Sequence, residues 1–191
     1  MKFSTVFVFA TTAAAVPWGN WKQWKKPSTD CLTDEMAAYI QERSRVFQLK
    51  ADLAEARAAG EELFAADEYK QYGHSINSLR GDALGTLVEP DGRTYVENVL
   101  SAPPLARIDS LATLHNCTHI MEHWDFYGVG GPQNANIPVR GFSLTKVDLT
   151  REIQPVVWRQ VEFNSMQWAN NTGFTIEFPT SGPYAPAPPE K

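Results

Sequence analysis

Residues 111–130, "LATLHNCTHIMEHWDFYGVG", decide the fold because β-branched and aromatic side chains dominate this long stretch. Two later segments have the same character: residues 137–150, "IPVRGFSLTKVDLT", and residues 152–163, "EIQPVVWRQVEF". The strings "GGPQNAN" and "DLTRE" separate the segments and are typical of turns. The three segments therefore predict a twisted antiparallel sheet.

The chain upstream of these segments has the periodicity of helices. Thr33 and the carboxylates after it predict a helix start, since a hydroxyl caps the first turn and acids favour the positive end of the dipole. Residues 51–69 continue with strong helix formers, and a further helix is predicted after Pro90-Asp91-Gly92. Helices first and strands afterwards predict an α+β fold, in which a curved, cone-shaped antiparallel sheet packs on N-terminal helices.

The composition indicates one domain that does not bind nucleic acid. The chain has 191 residues, of which 43% are hydrophobic and 12% aromatic, enough for one closed core. Its net charge is −5, and its tight basic cluster is confined to Lys22, Lys25 and Lys26. Binding to phosphates needs clustered cations, so nucleic acid is excluded as a partner.

The N-terminus has the pattern of a secretory leader. Residues 1–15 carry one Lys, a short apolar centre and three final alanines, and they are too short to span a bilayer. We therefore expect a secreted protein, or one of the secretory-pathway lumen, without integral membrane contact. An irregular Trp-rich arm over residues 16–30, a domain over 31–178 and a Pro-rich, disordered tail over 179–191 complete the predicted organisation.

The cysteines and sequons agree with secretion. Cys31 and Cys117 are an even pair, which favours a disulfide in an oxidising compartment. Asn116 and Asn170 each begin a glycosylation sequon. Asn170 is the better candidate, since Cys117 stands inside the other sequon.

Four strings of the chain resemble secreted fungal members of the nuclear transport factor two-like, or SnoaL-like, superfamily. They are "CLTDEMAAYI", "LFAADEYKQYGHSINSLRG", "PVRGFSL" and "EFNSMQWANNTGF". The resemblance spans about residues 31–178 and implies a cone of sheet and three helices around an apolar pocket. Relatives of this kind include polyketide cyclases, scytalone dehydratase and limonene epoxide hydrolase, besides pure binding and dimerisation modules.

Glu122 is the first candidate catalytic residue. Strand alternation puts it on one face with Ile120, Trp124 and Phe126, so it would be a carboxylate in an apolar pocket. Such a group has a raised pKa and can act as acid or base. The alternative is a structural ion pair with Arg140.

Glu162 and Asn164 are the second candidate pair, at alternate positions near the end of a strand. Alternation gives their face Trp158 and Gln160, while Arg159 interrupts the otherwise apolar opposite face. The resemblance implies an acid on a late strand that faces the pocket, with Asn164 orienting water or a carbonyl. Otherwise Glu162 simply points outward.

The string "YGHSINSLRG" supplies further polar groups. Ser75 and Asn77 share a face if the stretch is extended, and His74 beside them is the third candidate catalytic residue, since histidine commonly acts as an acid or base. A hydrogen-bonded turn is the alternative for this stretch. Aromatic residues and the remaining polar groups are expected to bind substrate: Asn77, Asn164, Arg140, Trp124, Phe126 and Trp168.

No metal or cofactor site is expected. His115, His119 and His123 recur every four residues, but on a strand four residues span about 13 Å, too far for ligands of one ion. The sequence contains no phosphate loop, dinucleotide fingerprint or Gly-x-Ser-x-Gly elbow.

Two functions remain open from the sequence. The first is a cofactor-free acid–base enzyme of fungal secondary metabolism that opens or hydrates an epoxide, cyclises or dehydrates a polyketide-like molecule. The second is a non-catalytic secreted protein that binds an apolar small molecule or another protein. A homodimer through the sheet is compatible with both.

Overall fold

The computed structural model describes residues 30–175. The predicted leader, nearly all of the predicted arm and the predicted tail lie outside these residues. The described part is one α+β domain, as the sequence predicts. Its helices are α1 (Asp34–Leu49), α2 (Leu53–Leu63), α3 (His74–Arg80), α4 (Gly92–Ser101) and α5 (Ser165–Asn171).

The helix starts follow the capping rules. Thr33 Oγ1 accepts from the backbone N–H of Met36 at 3.3 Å, so α1 begins where the sequence predicts. Asp91 accepts from Thr94 N at 2.7 Å and caps α4 after the Pro-Asp-Gly turn. The predicted helix boundaries at both places are thus confirmed.

Six strands form one curved sheet in the order β2-β1-β6-β5-β4-β3. The strands are β1 (Lys70–Tyr72), β2 (Leu87–Glu89), β3 (Arg107–His115), β4 (His119–Tyr127), β5 (Val139–Val147) and β6 (Val156–Phe163). The pairing of β1 with β6 is parallel, so the prediction of a purely antiparallel sheet is wrong at this one ladder. The short β1 lies far upstream in the sequence and shows no strand periodicity that could have predicted it.

Residues 111–130 form parts of two strands. Asn116 Oδ1 accepts from the backbone N–H groups of Thr118 and His119 at 2.9 and 2.8 Å, which closes a tight turn between β3 and β4. The interpretation of this stretch as a single strand is therefore wrong. The hydrogen bonds of the Asn116 side chain stabilise this turn without a glycine or a proline.

Bulges curve the sheet around the helices. The register shifts between Ser110 and Ala112 in β3, and again between Lys146 and Val147 in β5. Extra residues at such points bend a strand and increase its twist. The concave face then covers a core with an aromatic centre of Phe47, Phe64, Tyr69 and Tyr95, all nearly without exposure.

A disulfide ties the first helix to the sheet. Cys31 and Cys117 are bonded across a sequence separation of 86 residues, as predicted. Next to the bond, Leu32 N donates to Cys117 O at 3.0 Å, so the backbone before α1 lies against the β3–β4 turn. Closing so long a loop stabilises the fold by about 4 kcal/mol in the chain-entropy view.

Candidate active site

A cavity of about 480 Å³ lies between the concave face of the sheet and the helices α1, α3, α4 and α5. Such a volume suits a compact small molecule. Most of the wall surface is aliphatic and aromatic, and polar side chains from α1, α3, α4 and the sheet complete it. The apolar wall includes Ile76, Leu79, Val99, Leu105, Ile108, Trp124, Phe126, Val129, Val161, Phe163 and Trp168.

The strand register arranges the polar wall in a row. Thr145 of β5 pairs with Arg159 of β6, Arg159 pairs with Gln71 of β1, and Gln71 pairs with Glu89 of β2. All four side chains are buried. Side chains in register on one face of a sheet are neighbours, so these four form a polar row across four strands, which we call the floor row. Arg159, Gln71 and Glu89 of this row line the cavity.

Two further rows run beside the floor row. Glu122 pairs with Ser143, which pairs with Val161; one step along, Trp124 pairs with Gly141, which pairs with Phe163. The wall therefore changes from polar to aromatic over three rows. Gly141 is required in the last row, because a Cβ there would collide with the Trp124 ring.

Arg159 is the cation of the floor row. It is 5% exposed, and its guanidinium donates to Thr145 Oγ1 and Ser44 Oγ at 3.0 Å each and to Tyr95 Oη at 3.4 Å. The guanidinium also lies over the Phe64 ring, 5.3 Å from its centre. Its hydrogen-bond partners are thus neutral hydroxyls.

Glu122 is the acid of the middle row. Burial raises its pKa above the ordinary value of 4.5, while a hydrogen bond from Ser110 and the charges of Arg159 and Arg45 act in the opposite direction. A carboxyl group in this state holds its proton more readily than an exposed one. The structure places it on the face that strand alternation predicts.

The other charged groups of the wall have close partners. Glu89 accepts from Arg80 at 2.9 Å and from Asn98 at 2.7 Å. Lys50 Nζ donates to the carbonyls of Val99, Ala102 and Pro103 at 2.7, 2.7 and 3.1 Å, after the last turn of α4. Glu89 thus links α3 and α4 to the sheet, and Lys50 links the end of α1 to the end of α4.

Glu162 lies outside the cavity wall and holds helix α3. Its carboxylate accepts from His74 N at 2.9 Å, from Ser75 N at 3.0 Å and from Ser75 Oγ at 2.7 Å. Burial acts to raise the pKa of Glu162, but these hydrogen bonds outweigh it, and the pKa lies below its ordinary value. Alternation explains the position, since Arg159, Val161 and Phe163 take the face that lines the cavity.

Arg140 does not contact Glu122. It lies on the outer face of β5 and forms two hydrogen bonds with Asp125, at 2.8 and 2.7 Å. The predicted ion pair with Glu122 is wrong because the two residues project to opposite faces of the sheet. Asp125 is the next outward residue of β4 that pairs with Arg140 in register.

The stretch with His74, Ser75 and Asn77 is helix α3, which is neither the extended segment nor the hydrogen-bonded turn that the sequence left open. His74 is exposed beside Glu162, and Asn77 is buried with its Nδ2 on Thr86 O at 3.0 Å. Asn164 caps helix α5 through Gln167 N at 3.0 Å. None of His74, Asn77, Asn164, Arg140 or Glu162 belongs to the wall of the main cavity within residues 30–175.

The three predicted aromatic residues do lie together on the wall. Trp124 stacks on Phe126 with ring centres 3.8 Å apart, and Trp168 packs on Phe163 at 4.7 Å. All four rings line the cavity. They form its aromatic end, opposite the floor row.

The histidines are separated by the β3–β4 turn. His115 ends β3 and lies 2.8 Å from Asp34, whereas His123 stacks on Phe142 on the outer face of β4. Within residues 30–175, no group of three His, Cys, Asp or Glu side chains is placed to hold a metal ion. No helix in this part of the chain is long and apolar enough to cross a membrane.

Sequence reasoning missed the floor row. Arg159 interrupts an apolar strand face, and a charged residue at such an inward position is itself a signal of a polar site. Gln71 and Glu89 lie on three-residue strands. Strands so short carry no periodicity that could assign their faces.

The described residues thus form a curved sheet that closes on helices around a mainly apolar cavity. Residues 30–175 match the family model described as NTF2-like domain. The chain therefore belongs to the NTF2-like family.

Solved structures agree with this fold. A SnoaL-like polyketide cyclase candidate from Shewanella denitrificans OS-217 is similar over 71% of this chain and 96% of that chain, with a TM-score of 0.50 and 8% identity. A SnoaL-like protein of unknown function from Burkholderia thailandensis E264 covers 70% and 98%, with a TM-score of 0.47 and 13% identity.

A third structure is a protein with a ketosteroid isomerase-like fold from Catenulispora acidiphila DSM 44928, in complex with trimethylamine. It covers 71% of this chain and 93% of that chain, with a TM-score of 0.47 and 13% identity. A search of curated proteins found no match. At 8% identity and a TM-score of 0.50, the first of these structures supports the fold alone.

Proposed function

We propose that the protein is a cofactor-free enzyme that moves a proton on a small, largely apolar molecule held in the cavity. One observation carries the proposal: Glu122 is a carboxyl group on the cavity wall, its pKa is raised by burial, and it forms no ion pair within 4.0 Å in the described residues. A group of this kind is poised for general acid–base work.

The surroundings of Glu122 favour a proton shuttle. As a carboxylate it accepts a proton from a carbon next to a carbonyl, or from a hydroxyl, and as a carboxylic acid it returns the proton at a second atom. Cyclisation, isomerisation and dehydration of a polyketide-like substrate each need one such shuttle. Epoxide opening also needs a proton donor to the epoxide oxygen, a step for which Tyr95 lies on the same wall.

The test is conversion of metabolites in an extract of the producing organism, followed by mass spectrometry. We compare the wild type with Glu122→Gln and with the exposed control Glu152→Gln. We expect the wild type and control to form an isomer or a product that differs by one water. Glu122→Gln should be about a hundredfold slower or worse, the usual effect of losing a general acid or base.

If Glu122→Gln converts the metabolite as fast as the wild type, the assignment of Glu122 is wrong. If all three proteins bind and release the same unchanged compound, the protein is a binding module. Two contacts favour this second function: Glu89 is bonded to Arg80, and the Lys50 ammonium group donates to a backbone carbonyl. A protein that only binds its ligand does not need these groups to be free.

We further propose a secreted protein of fungal secondary metabolism that forms a homodimer through the outer face of the sheet. The disulfide between Cys31 and Cys117 supports an oxidising compartment. Asn170 is exposed on α5 and is the proposed glycosylation site, whereas the amide oxygen of Asn116 is engaged in the β3–β4 turn. Treatment of the protein from its natural source with an endoglycosidase, followed by peptide mass spectrometry, tests both sites.

A further inference from the structure

The charge of Arg159 has no counter-ion at contact distance. Its three hydrogen bonds go to the hydroxyls of Thr145, Ser44 and Tyr95. Among the described residues, no carboxylate oxygen lies within 4.0 Å of the guanidinium, although the side chain is 5% exposed. A buried charge is normally paired, because burial removes the water that stabilised it.

The other cations on the described cavity wall have either a carboxylate partner or no N–H donor left for a ligand. Arg80 is bonded to Glu89 at 2.9 Å, and Arg45 to Glu42 at 3.0 Å. The ammonium group of Lys50 donates to three backbone carbonyls. Among the described wall residues, Arg159 is thus the cation with neither a carboxylate in contact nor all of its donors used, although the charge of Glu122 acts on it from the neighbouring row.

The guanidinium has donors left for such a partner. A guanidinium carries five N–H groups, and the structure gives Arg159 three hydrogen bonds. The remaining donors suit a planar, singly charged acceptor, since guanidinium and carboxylate match in shape and charge. The hydroxyls around Arg159 fix its orientation in advance, so little ordering is needed on binding.

We propose that Arg159 binds the carboxylate of an apolar carboxylic acid in the cavity, with the apolar body of the acid on the aromatic end formed by Trp124 and Phe163. The inference rests on the proposed function in that it names the ligand class of the same site. Glu122 lies in the row between Arg159 and Trp124. A ligand so placed presents to Glu122 the carbon atoms a few bonds away from its carboxylate.

The test compares two probes of the same shape, 2-naphthoate and its neutral amide, 2-naphthamide. Binding of each probe to the full chain is measured by quenching of the fluorescence of Trp124 and Trp168 and is confirmed by calorimetry. We expect the wild type to bind naphthoate about tenfold more tightly than the amide or better, the effect of one charge-assisted hydrogen-bonded pair. Arg159→Met should lose the preference.

Lys146→Met is the matched control, because it removes one positive charge from the exposed outer face of the adjacent strand. It should keep the preference for naphthoate. Equal affinity of the wild type for both probes, tighter binding of the amide, or no binding of either would overturn the proposal. This comparison of probes on the wild type holds even if Arg159→Met fails to fold.

The same assay separates this proposal from the proposed function. Glu122→Gln removes a group that repels a bound carboxylate whenever it is ionised, so it should bind naphthoate at least as tightly as the wild type. Loss of conversion in that variant with an intact naphthoate preference supports both proposals. If the wild type prefers naphthoate but converts no metabolite, the carboxylate site is supported and the proposed enzymatic activity is rejected.

Discussion

At the scale of single residues, the carboxyl group of Glu122 links the chemistry of the cavity to the stability of the fold. Its pKa is raised in the folded protein, from an ordinary value of 4.5, chiefly because it is buried. The unfolded chain therefore releases this proton at a lower pH than the folded protein does. Between the two pKa values the free energy of unfolding falls as the pH rises.

Replacing Glu122 with Gln removes this contribution. We expect Glu122→Gln to be at least as stable as the wild type above the raised pKa, with the difference disappearing below about pH 4, where both states hold the proton. Urea denaturation at a series of pH values measures it. A variant that is less stable than the wild type by the same amount at every pH would contradict the assignment of Glu122 as an acid whose pKa is raised by burial.

Individual residues also show how far sequence reasoning reaches. Alternation along β4 was enough to place Glu122, Trp124 and Phe126 on the cavity side. For β6 the same rule was correctly applied, but the resemblance to related enzymes favoured Glu162 over Arg159. The role of Glu162 depends on contacts with His74 and Ser75, which lie 88 and 87 residues away in the sequence. No local pattern can reveal such a pairing.

At the scale of the elements, helix α3 depends on a side chain from β6. The helix has seven residues, and its N-cap, Gly73, provides no side-chain hydrogen bond. Glu162 accepts instead from the first N–H groups of the helix. A carboxylate in this place also interacts favourably with the helix dipole.

We expect Glu162→Ala to loosen α3 and to lower the free energy of unfolding by about 1–2 kcal/mol, the usual effect of losing a cap that bears a charge. The pKa of Glu162 is lowered, so its stabilisation is present above the ordinary value of 4.5 and is lost as the pH falls through the folded pKa. Hydrogen exchange should accelerate in α3 and remain unchanged in α4, which Asp91 caps. Unchanged exchange in α3 would show that Glu162 is not its support.

Elements that the sequence misassigned share one physical property. Helix α3 has seven residues, fewer than two full helical turns, and the strands β1 and β2 have three residues each. Their conformation is set by partners such as Glu162 and β6 more than by their own side chains. The longer helices α1 and α4 carry their own caps, and their starts could therefore be predicted.

At the scale of the whole molecule, the outer face of the sheet carries exposed apolar side chains in two rows. Leu114, Met121 and Leu144 are in register across three strands, and Phe142 lies beside His123 in the next row. Phe142 is 49% exposed and Leu114 is 63% exposed. A contiguous patch of this kind on a stable fold is typical of a protein interface.

We expect the wild type to run as a dimer in size-exclusion chromatography with light scattering, and Phe142→Glu to run at the mass of one chain. A buried carboxylate at the centre of a paired apolar face is strongly unfavourable. Leu53→Glu is the control, since Leu53 is similarly exposed on α2, away from the sheet. A monomeric wild type at tens of micromolar, or a dimeric Phe142→Glu, would remove this interface.

The parallel pairing of β1 with β6 determines the order in which parts of the fold can form while the chain is being synthesised. The floor row joins Gln71 to Arg159, so the cavity floor cannot be completed before the ribosome has made the chain beyond β6. Both cysteines of the disulfide are present as soon as residue 117 has emerged. The disulfide can thus link the start of α1 to the β3–β4 turn before β6 pairs with β1. The last strand then joins a fold in which this link is already covalent.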